Sequence, residues 1–414
     1  MKRKICVLLC MAVALCMYGQ GFFEKVDLGI DNFKYSKLDT NYIAPPQYKL
    51  MISVGNKNFW GRDNVHLPFS WNDPDIYDYC PGIEKYEKEK ILAHSNQSSL
   101  NFRVSYKGFS VSYGFALNGN GNKKSFSLGS QGNAFGFNIG FERNSLSNAK
   151  FHDYRYLPIA YGLINEIYEL GGIDRHFTID EIAQYSVYHK QDLIDDELLG
   201  ENDEWELDDI VRWYGNFYYA FNHRKFSMSA ANYAQYIQKR SAGSFFVTGD
   251  VNYTRLKANN LFFIDDEDIA PDTTYCEKFK SFAIALGAGY GYNWTPNHGK
   301  FLLHGSIRPT VNVYSRMDYD NRFTTTDATG KKITGKTPRE DELYPLYDHK
   351  MKLTFGGVAR VAAVWNISPR FVVGTNLEYT IRDNRNSKDY RMYNSRLNFN
   401  AYAAMRFFKN KRRY

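Results

Sequence analysis

From Arg396 to Phe408 the chain alternates almost without a break. Leu397, Phe399, Ala401, Ala403, Met405 and Phe407 are apolar, and Arg396, Asn398, Asn400, Tyr402 and Arg406 stand between them. Successive side chains of a strand point to opposite faces, so this segment has one greasy face and one polar face. The pattern recurs along most of the chain. Two architectures use it: a soluble sandwich, such as a secreted glycan-binding β-sandwich, and a closed membrane barrel, greasy outside and wet inside.

The N-terminus favours the barrel. Lys2, Arg3 and Lys4 precede an uncharged apolar run, Ile5 to Met17, and cleavage is expected near Gly19 or Gln20. This reads as a signal peptide over 1–20. The run is shorter than the roughly 20 residues of a membrane helix. Leu9 and Leu15 precede Cys10 and Cys16, where lipoprotein processing wants a small residue. Mean hydropathy is −0.51, yet 17% of residues are aromatic, with 33 Tyr and 30 Phe. Alternation plus aromatic girdles at the membrane boundary produces that combination. Loss of the signal removes three positive charges from a net +7, leaving about +4. The basic residues are scattered, which gives no nucleic-acid footprint.

Residues 21–46 read as an extended periplasmic segment ending in Pro45–Pro46, and 409–414 as a solvated basic tail. The barrel is expected over 47–408. Strands are expected at 47–56, 98–106, 109–117, 125–142, 151–162, 212–221, 241–254, 279–294, 300–314, 351–366, 370–382 and 394–408. Residues 163–211 read mostly as a long acidic loop, with helical character around Ile179–Tyr188 and too few apolar residues for a separate core. Connections alternate between tight ones (Lys107–Gly108, Thr295–Gly299, Ile367–Pro369) and long polar ones. Outer-membrane barrels have short periplasmic turns and long outer loops, with an even number of strands. The expected fold is therefore an all-β, antiparallel up-and-down transmembrane barrel of about twelve strands, within a range of 10–14, provided 222–240 is a broad periplasmic turn. Trp294, Phe301, Trp365, Phe371 and Phe407 fall beside short turns and would form the periplasmic aromatic girdle.

Motifs for catalysis are missing: there is no G-x-S-x-G, no H-E-x-x-H, no phosphate loop and no paired-cysteine metal spacing. The nine histidines are scattered. No cofactor and no metal is expected, and no enzymatic activity. The alternative of a lipid-modifying enzyme needs an outward His and Ser near the outer rim, for which His349 with Ser315 is the one pair whose strand ends could meet. On the polar faces lie Arg103, Glu142, Asp250, His304, Arg308, Arg360, Glu378, Arg382, Arg396 and Arg406. Inside a closed barrel they form either an ion-pair network that fills the lumen or the lining of an anion-preferring channel. A lumen this narrow could be plugged by loops or by the N-terminal segment. The acidic run Asp192–Asp209 lacks calcium-loop spacing and reads as solvated loop. Two cysteines survive signal removal, Cys80 and Cys276. Export makes them a candidate disulfide, and geometry decides.

The segment Phe221-Asn222-His223-Arg224-Lys225-Phe226-Ser227, continued by Gln238-Lys239-Arg240-Ser241-Ala242-Gly243-Ser244, breaks the alternation. With Asp39-Thr40-Asn41-Tyr42-Ile43 it resembles the signature of an uncharacterised Bacteroidetes family, domain of unknown function 4421. The resemblance extends over Asp39 to Phe408, apart from the acidic insert. It implies an outer-membrane barrel without an assigned activity. Residues 222–244 read either as a packed periplasmic plug, with Arg224, Lys225, Lys239 and Arg240 meeting lumen carboxylates or lipid phosphates, or as a docking site for a periplasmic partner. Expected partners are outer-membrane lipids and lipopolysaccharide. The functional expectation is a non-enzymatic envelope protein, either a narrow or plugged pore or a scaffold.

Overall fold

The computed structural model describes residues 38–68, 78–86, 88–117, 124–144, 148–152, 157–172, 175–182, 206–259, 274–326, 331–336, 353–385 and 391–409. The signal peptide, His349 and most of the acidic run lie outside them.

Twelve strands close into one antiparallel ring: β1 (Tyr48–Pro68), β2 (Lys88–Tyr106), β3 (Phe109–Ala116), β4 (Lys124–Gln131), β5 (Phe135–Asn144), β6 (Glu206–Ala220), β7 (Ala242–Asn259), β8 (Thr274–Trp294), β9 (Phe301–Thr326), β10 (Thr354–Asn366), β11 (Phe371–Arg385) and β12 (Arg391–Lys409). Each pairs with the next, and β12 pairs with β1, with Phe407 opposite Leu50 and Arg391 opposite His66. The soluble sandwich is excluded by that last pairing. Two short strands, Asn148–His152 and Lys332–Lys336, only extend β2 and β9 at the loop side.

The expected total of twelve is met, but through two errors that cancel. The stretch 125–142 is two strands, β4 and β5, because Gly132–Ala134 turn the chain. Gly132 donates its N–H to the Phe135 carbonyl (3.0 Å), and the Ala220 N–H is taken by the Ala134 carbonyl (2.8 Å). Of the expected strand at 151–162, only Phe151 and His152 are strand, ending the short Asn148–His152, and from Leu157 the chain is helix α1 (Leu157–Leu170). Several strands also run farther than alternation of apolar residues suggested. β1 continues to Pro68 and β6 begins at Glu206, because these outer portions keep their backbone ladders with β2 and β7. Alternation marks only the part of a strand that meets hydrocarbon.

The tight turns lie at one end. The two-residue turn between β2 and β3 has both Lys107 (φ 46°) and Gly108 (φ 91°) in the left-handed region that tight hairpins require. The described ends of β1 and β12, Tyr48 and Lys409, and the turns 132–134, 221–241, 295–300 and 367–370 share that end. Outward positions are apolar and exposed, with Phe245 at 69% and Phe355 at 71%. A wall of exposed Val, Leu, Phe and Tyr on every strand is stable against hydrocarbon and costly in water. Trp294, Trp365 and Phe371 are exposed on this wall beside the short turns. Phe301 stands directly across from Trp365, and Phe407 shares the outward face with Met405. On the inner face, Tyr214 and Tyr218 lie across Gly140 and Gly136 of the neighbouring strand, at a distance no Cβ would allow.

Candidate functional site

The lumen is the one place where the chain concentrates polar chemistry, and it has two parts. At the turn end, the connection between β6 and β7 folds inward as a plug. Ser227 caps a short helix, α2 (Met228–Tyr233), by accepting the Ala230 N–H on its Oγ (3.1 Å). Ala234, in the left-handed region, ends it. Ile237–Gln238 then pairs with Ile43–Ala44. This is where the two stretches of the family resemblance meet: the Asp39 N–H is taken by the Arg224 carbonyl (3.1 Å), and the Lys239 N–H by the Tyr42 carbonyl (2.7 Å).

The plug is bound by a core inside the barrel. Ile43, Ala230, Ala231, Ala234 and Tyr236 pack against the inward residues Met51, Leu302, Val364, Val372 and Ala404. Phe226 and Met228 pack against Ala220, Ala242 and Phe246. Buried polar groups satisfy the plug backbone, as burial demands. Gln238 accepts the Ser227 N–H (3.0 Å) and donates to the carbonyls of Lys225 (2.6 Å) and Arg240 (2.9 Å). Asn293 donates to the Ser227 carbonyl (2.9 Å), and His304 Nδ1 bonds Asn293 Oδ1 (2.8 Å).

Three residues expected in the lumen charge network also contact or support the plug. Buried His304 supports Asn293 and lies beside the Phe226 ring. Arg406 donates to the carbonyls of Ala234 (2.6 Å) and Pro369 (3.2 Å) and to Asn366 Oδ1 (2.8 Å). The Arg103 guanidinium lies 4.4 Å from the centre of the Tyr233 ring. Of the two roles expected for the basic residues of the turn, the one toward lumen carboxylates is not met. Arg224, Lys225 and Arg240 are exposed and do not reach lumen carboxylates. Lys225 and Arg240 lie over the Tyr42 ring, and Lys239 donates to the Thr40 carbonyl (2.9 Å). Asn222 braces the start of β7, donating through Nδ2 to the Gly243 carbonyl (2.8 Å), and His223 Nδ1 contacts the Ala220 carbonyl (3.2 Å).

Above the plug the inner wall is charged. Arg360 on β10 pairs with Glu378 directly across on β11. Arg308 on β9 pairs with Asp250 on β7 (3.3 Å). Two further pairs span the lumen: Lys57 on β1 to Glu142 on β5 (3.1 Å), and Arg212 on β6 to Asp63 on β1. β6 is five steps from β1 in a ring of twelve, so the second pair crosses nearly a full diameter. Arg396 lies 3.9 Å from the same Asp63 carboxylate, which Asn394 also bonds. Arg382 has no direct carboxylate contact among the described residues. Lys57, Asp63 and Arg212 were not among the expected site residues, because each falls in a stretch read as loop or at its edge. Charge alternation across 57–63 (Lys57, Phe59, Gly61, Asp63 on one face) was the available signal.

Between plug and cross-lumen pairs lies a polar chamber of about 300 Å³. Among the described residues no cluster of three metal-ligating side chains occurs. Ser315 is buried, so it does not face the lipid boundary as the enzyme alternative needs. Cys80 is buried and its thiol is free, so the Cys80–Cys276 disulfide is not formed. Cys80 accepts the Ile83 N–H on its carbonyl (3.1 Å) and is fully buried, as Ile83 is, and burial pushes its thiol up to about 11.

Comparison with known proteins bears on architecture. The chain is similar to the outer membrane protease OmpT from Escherichia coli at 9% identity, covering 89% of this chain and 100% of that one, with a TM-score of 0.33. It is similar to the translocator domain of the autotransporter NalP from Neisseria meningitidis (10% identity, 95% and 100% covered, TM-score 0.31) and to the toluene transporter TodX from P. putida (8% identity, 87% and 91% covered, TM-score 0.29). Likeness at this level concerns the barrel alone. No curated protein matches the chain. Residues 202–407, which hold the plug connection but not the Asp39–Ile43 stretch, match the family described as Domain of unknown function (DUF4421). Residues 202–407 of this closed twelve-stranded barrel of the outer-membrane type thus carry that family's domain.

Proposed function

We propose that this protein is a non-enzymatic resident of the outer membrane, exported through a cleaved signal peptide, whose lumen is held shut by its own β6–β7 connection. The observation that carries the reading is the apolar seat inside the turn end. An open pore keeps its inner wall wet, whereas Met51, Leu302, Val364, Val372 and Ala404 face inward and are covered by the plug. Burial of three large plug side chains, Ile43, Phe226 and Tyr236, contributes on the order of 5 kcal/mol at about 1.5–3 kcal/mol each. That is enough to keep spontaneous opening rare. The cross-lumen pairs stiffen the wall above it. Membrane lipids are its surroundings, and lipopolysaccharide contacts the outer leaflet side.

Planar-bilayer recording tests this. The intact protein is expected to stay silent across salts and voltages. A variant with residues 223–239 replaced by a short Asn-Gly turn should show discrete conductance steps. Stable open channels from the intact chain would overturn the reading.

A further inference from the structure

The chamber above the plug carries a charge imbalance that the closed-barrel reading does not use. Four of its basic groups have a carboxylate partner: Lys57, Arg212, Arg308 and Arg360 meet Glu142, Asp63, Asp250 and Glu378. Three more guanidiniums line the same space, those of Arg103, Arg382 and Arg396. Arg396 shares Asp63 with Arg212. Arg103 rests on the Tyr233 ring, which lowers the cost of its charge without neutralising it. Arg382 makes no hydrogen bond or ion pair with a carboxylate among the described residues: its charged neighbours are Asp250 and Glu378, already paired to Arg308 and Arg360, and the like-charged Arg308 and Arg212. Seven basic groups thus face four carboxylates around one enclosed chamber. A surplus of three positive charges in a partly desolvated space is costly unless an anion shares it.

The geometry points to a small oxyanion as the occupant. Guanidiniums are matched to carboxylate and phosphate groups, which they bind with two parallel hydrogen bonds. Unpartnered polar atoms surround the surplus charge: Arg360 Nε, Arg396 Nε, Asn376 Oδ1 and Thr248 Oγ1 are all buried without a hydrogen-bond partner. The amide and hydroxyl groups can hold a solute that carries hydroxyls beside its acid group. A chamber of about 300 Å³ is at the small end of ligand sites, which run from about 300 to 1,000 Å³. We propose that this chamber binds a small phosphate- or carboxylate-bearing solute, with Arg382 as its principal ligand and Arg396 and Arg103 as flanking charges.

The proposal rests on the closed-plug reading only for the chamber floor. The two fail separately, since conductance tests the plug and a stability shift tests the chamber. The full chain in detergent is heated with inorganic phosphate, with succinate, or with chloride at matched ionic strength, and unfolding is followed by gel mobility. A saturable rise of the midpoint is expected with phosphate or succinate and not with chloride, and the stronger of the two identifies the acid group. In R382Q the half-saturating concentration should rise about tenfold or more, the loss of one charge-assisted contact. R370Q, an exposed site at the turn end, should behave as the parent. Equilibrium dialysis with labelled phosphate or succinate on the parent protein gives a second readout if R382Q does not fold. Binding near one solute per chain supports the site. An equal shift in chloride, no saturation, or unchanged affinity in a folded R382Q would overturn it.

Discussion

The two halves of the lumen are built from the same strands and obey opposite rules. On β12, Ala404 and Arg396 share one inward face, as do Val372 and Glu378 on β11, and Met51 and Asp63 on β1. Near the turns that face is apolar and dry, because the chain brings its own hydrocarbon to it in the form of the plug. Farther out the face is charged and pairs across the lumen. Inward therefore does not mean wet. What decides is whether another segment of the chain covers the position. The energetics differ accordingly. The lower half gains from burial, which is non-directional and additive in area. The upper half gains little net from its ion pairs, whose attraction roughly offsets desolvation, but a broken pair leaves a buried charge behind.

The sharpest way to break this contrast is Asp63→Ala. It strands Arg212 and Arg396 together in the buried wall, and the expected loss is about 3–5 kcal/mol, read as a fall in the unfolding midpoint by heat-dependent gel mobility. A change indistinguishable from the parent would mean that water already screens the pair. Arg406→Ala acts on the other half. It removes donors from the carbonyls of Ala234 and Pro369, at a cost of about 1.5–3 kcal/mol for bonds from a charged donor. Its signature should be faster amide exchange in 228–238 with the barrel strands unchanged. If exchange rises equally in β10 and β11, the plug is not a separate unit. The smallest effect lies outside the lumen. Burial raises the Cys80 thiol from 9.0 to about 11, so the folded protein holds the neutral form. The associated stability is present below pH 9 and is lost as pH rises toward 11. Maleimide labelling of the folded chain at pH 8 should be slow and should accelerate on unfolding. Rapid labelling under native conditions would show the surroundings of Cys80 to be open.

Much of the wall was legible beforehand because hydrocarbon imposes period two on whatever touches it. The girdle residues Trp294 and Trp365 and the tight turn at Lys107–Gly108 follow directly from that. The outer part of β1 was not legible, since its inward face mixes Phe59 and Val65 with Gly61 and Asp63. Asp63 was hidden there, and Arg212 stood at the first position of its expected strand, although the two form a bridge across the lumen. The plug residue Tyr236 looked like part of a polar turn, because its apolar partners are contributed by β1, β9, β10, β11 and β12, far away in the chain.

Local alternation determined that this chain makes a greasy-walled antiparallel barrel with its short turns at one end, because each residue's face depends only on its parity. Which inward residues are dry, which charges meet across the ring, and that two stretches nearly two hundred residues apart close one end together were decided by the tertiary structure. Closure of the ring brings strands into contact in an order that no local pattern encodes.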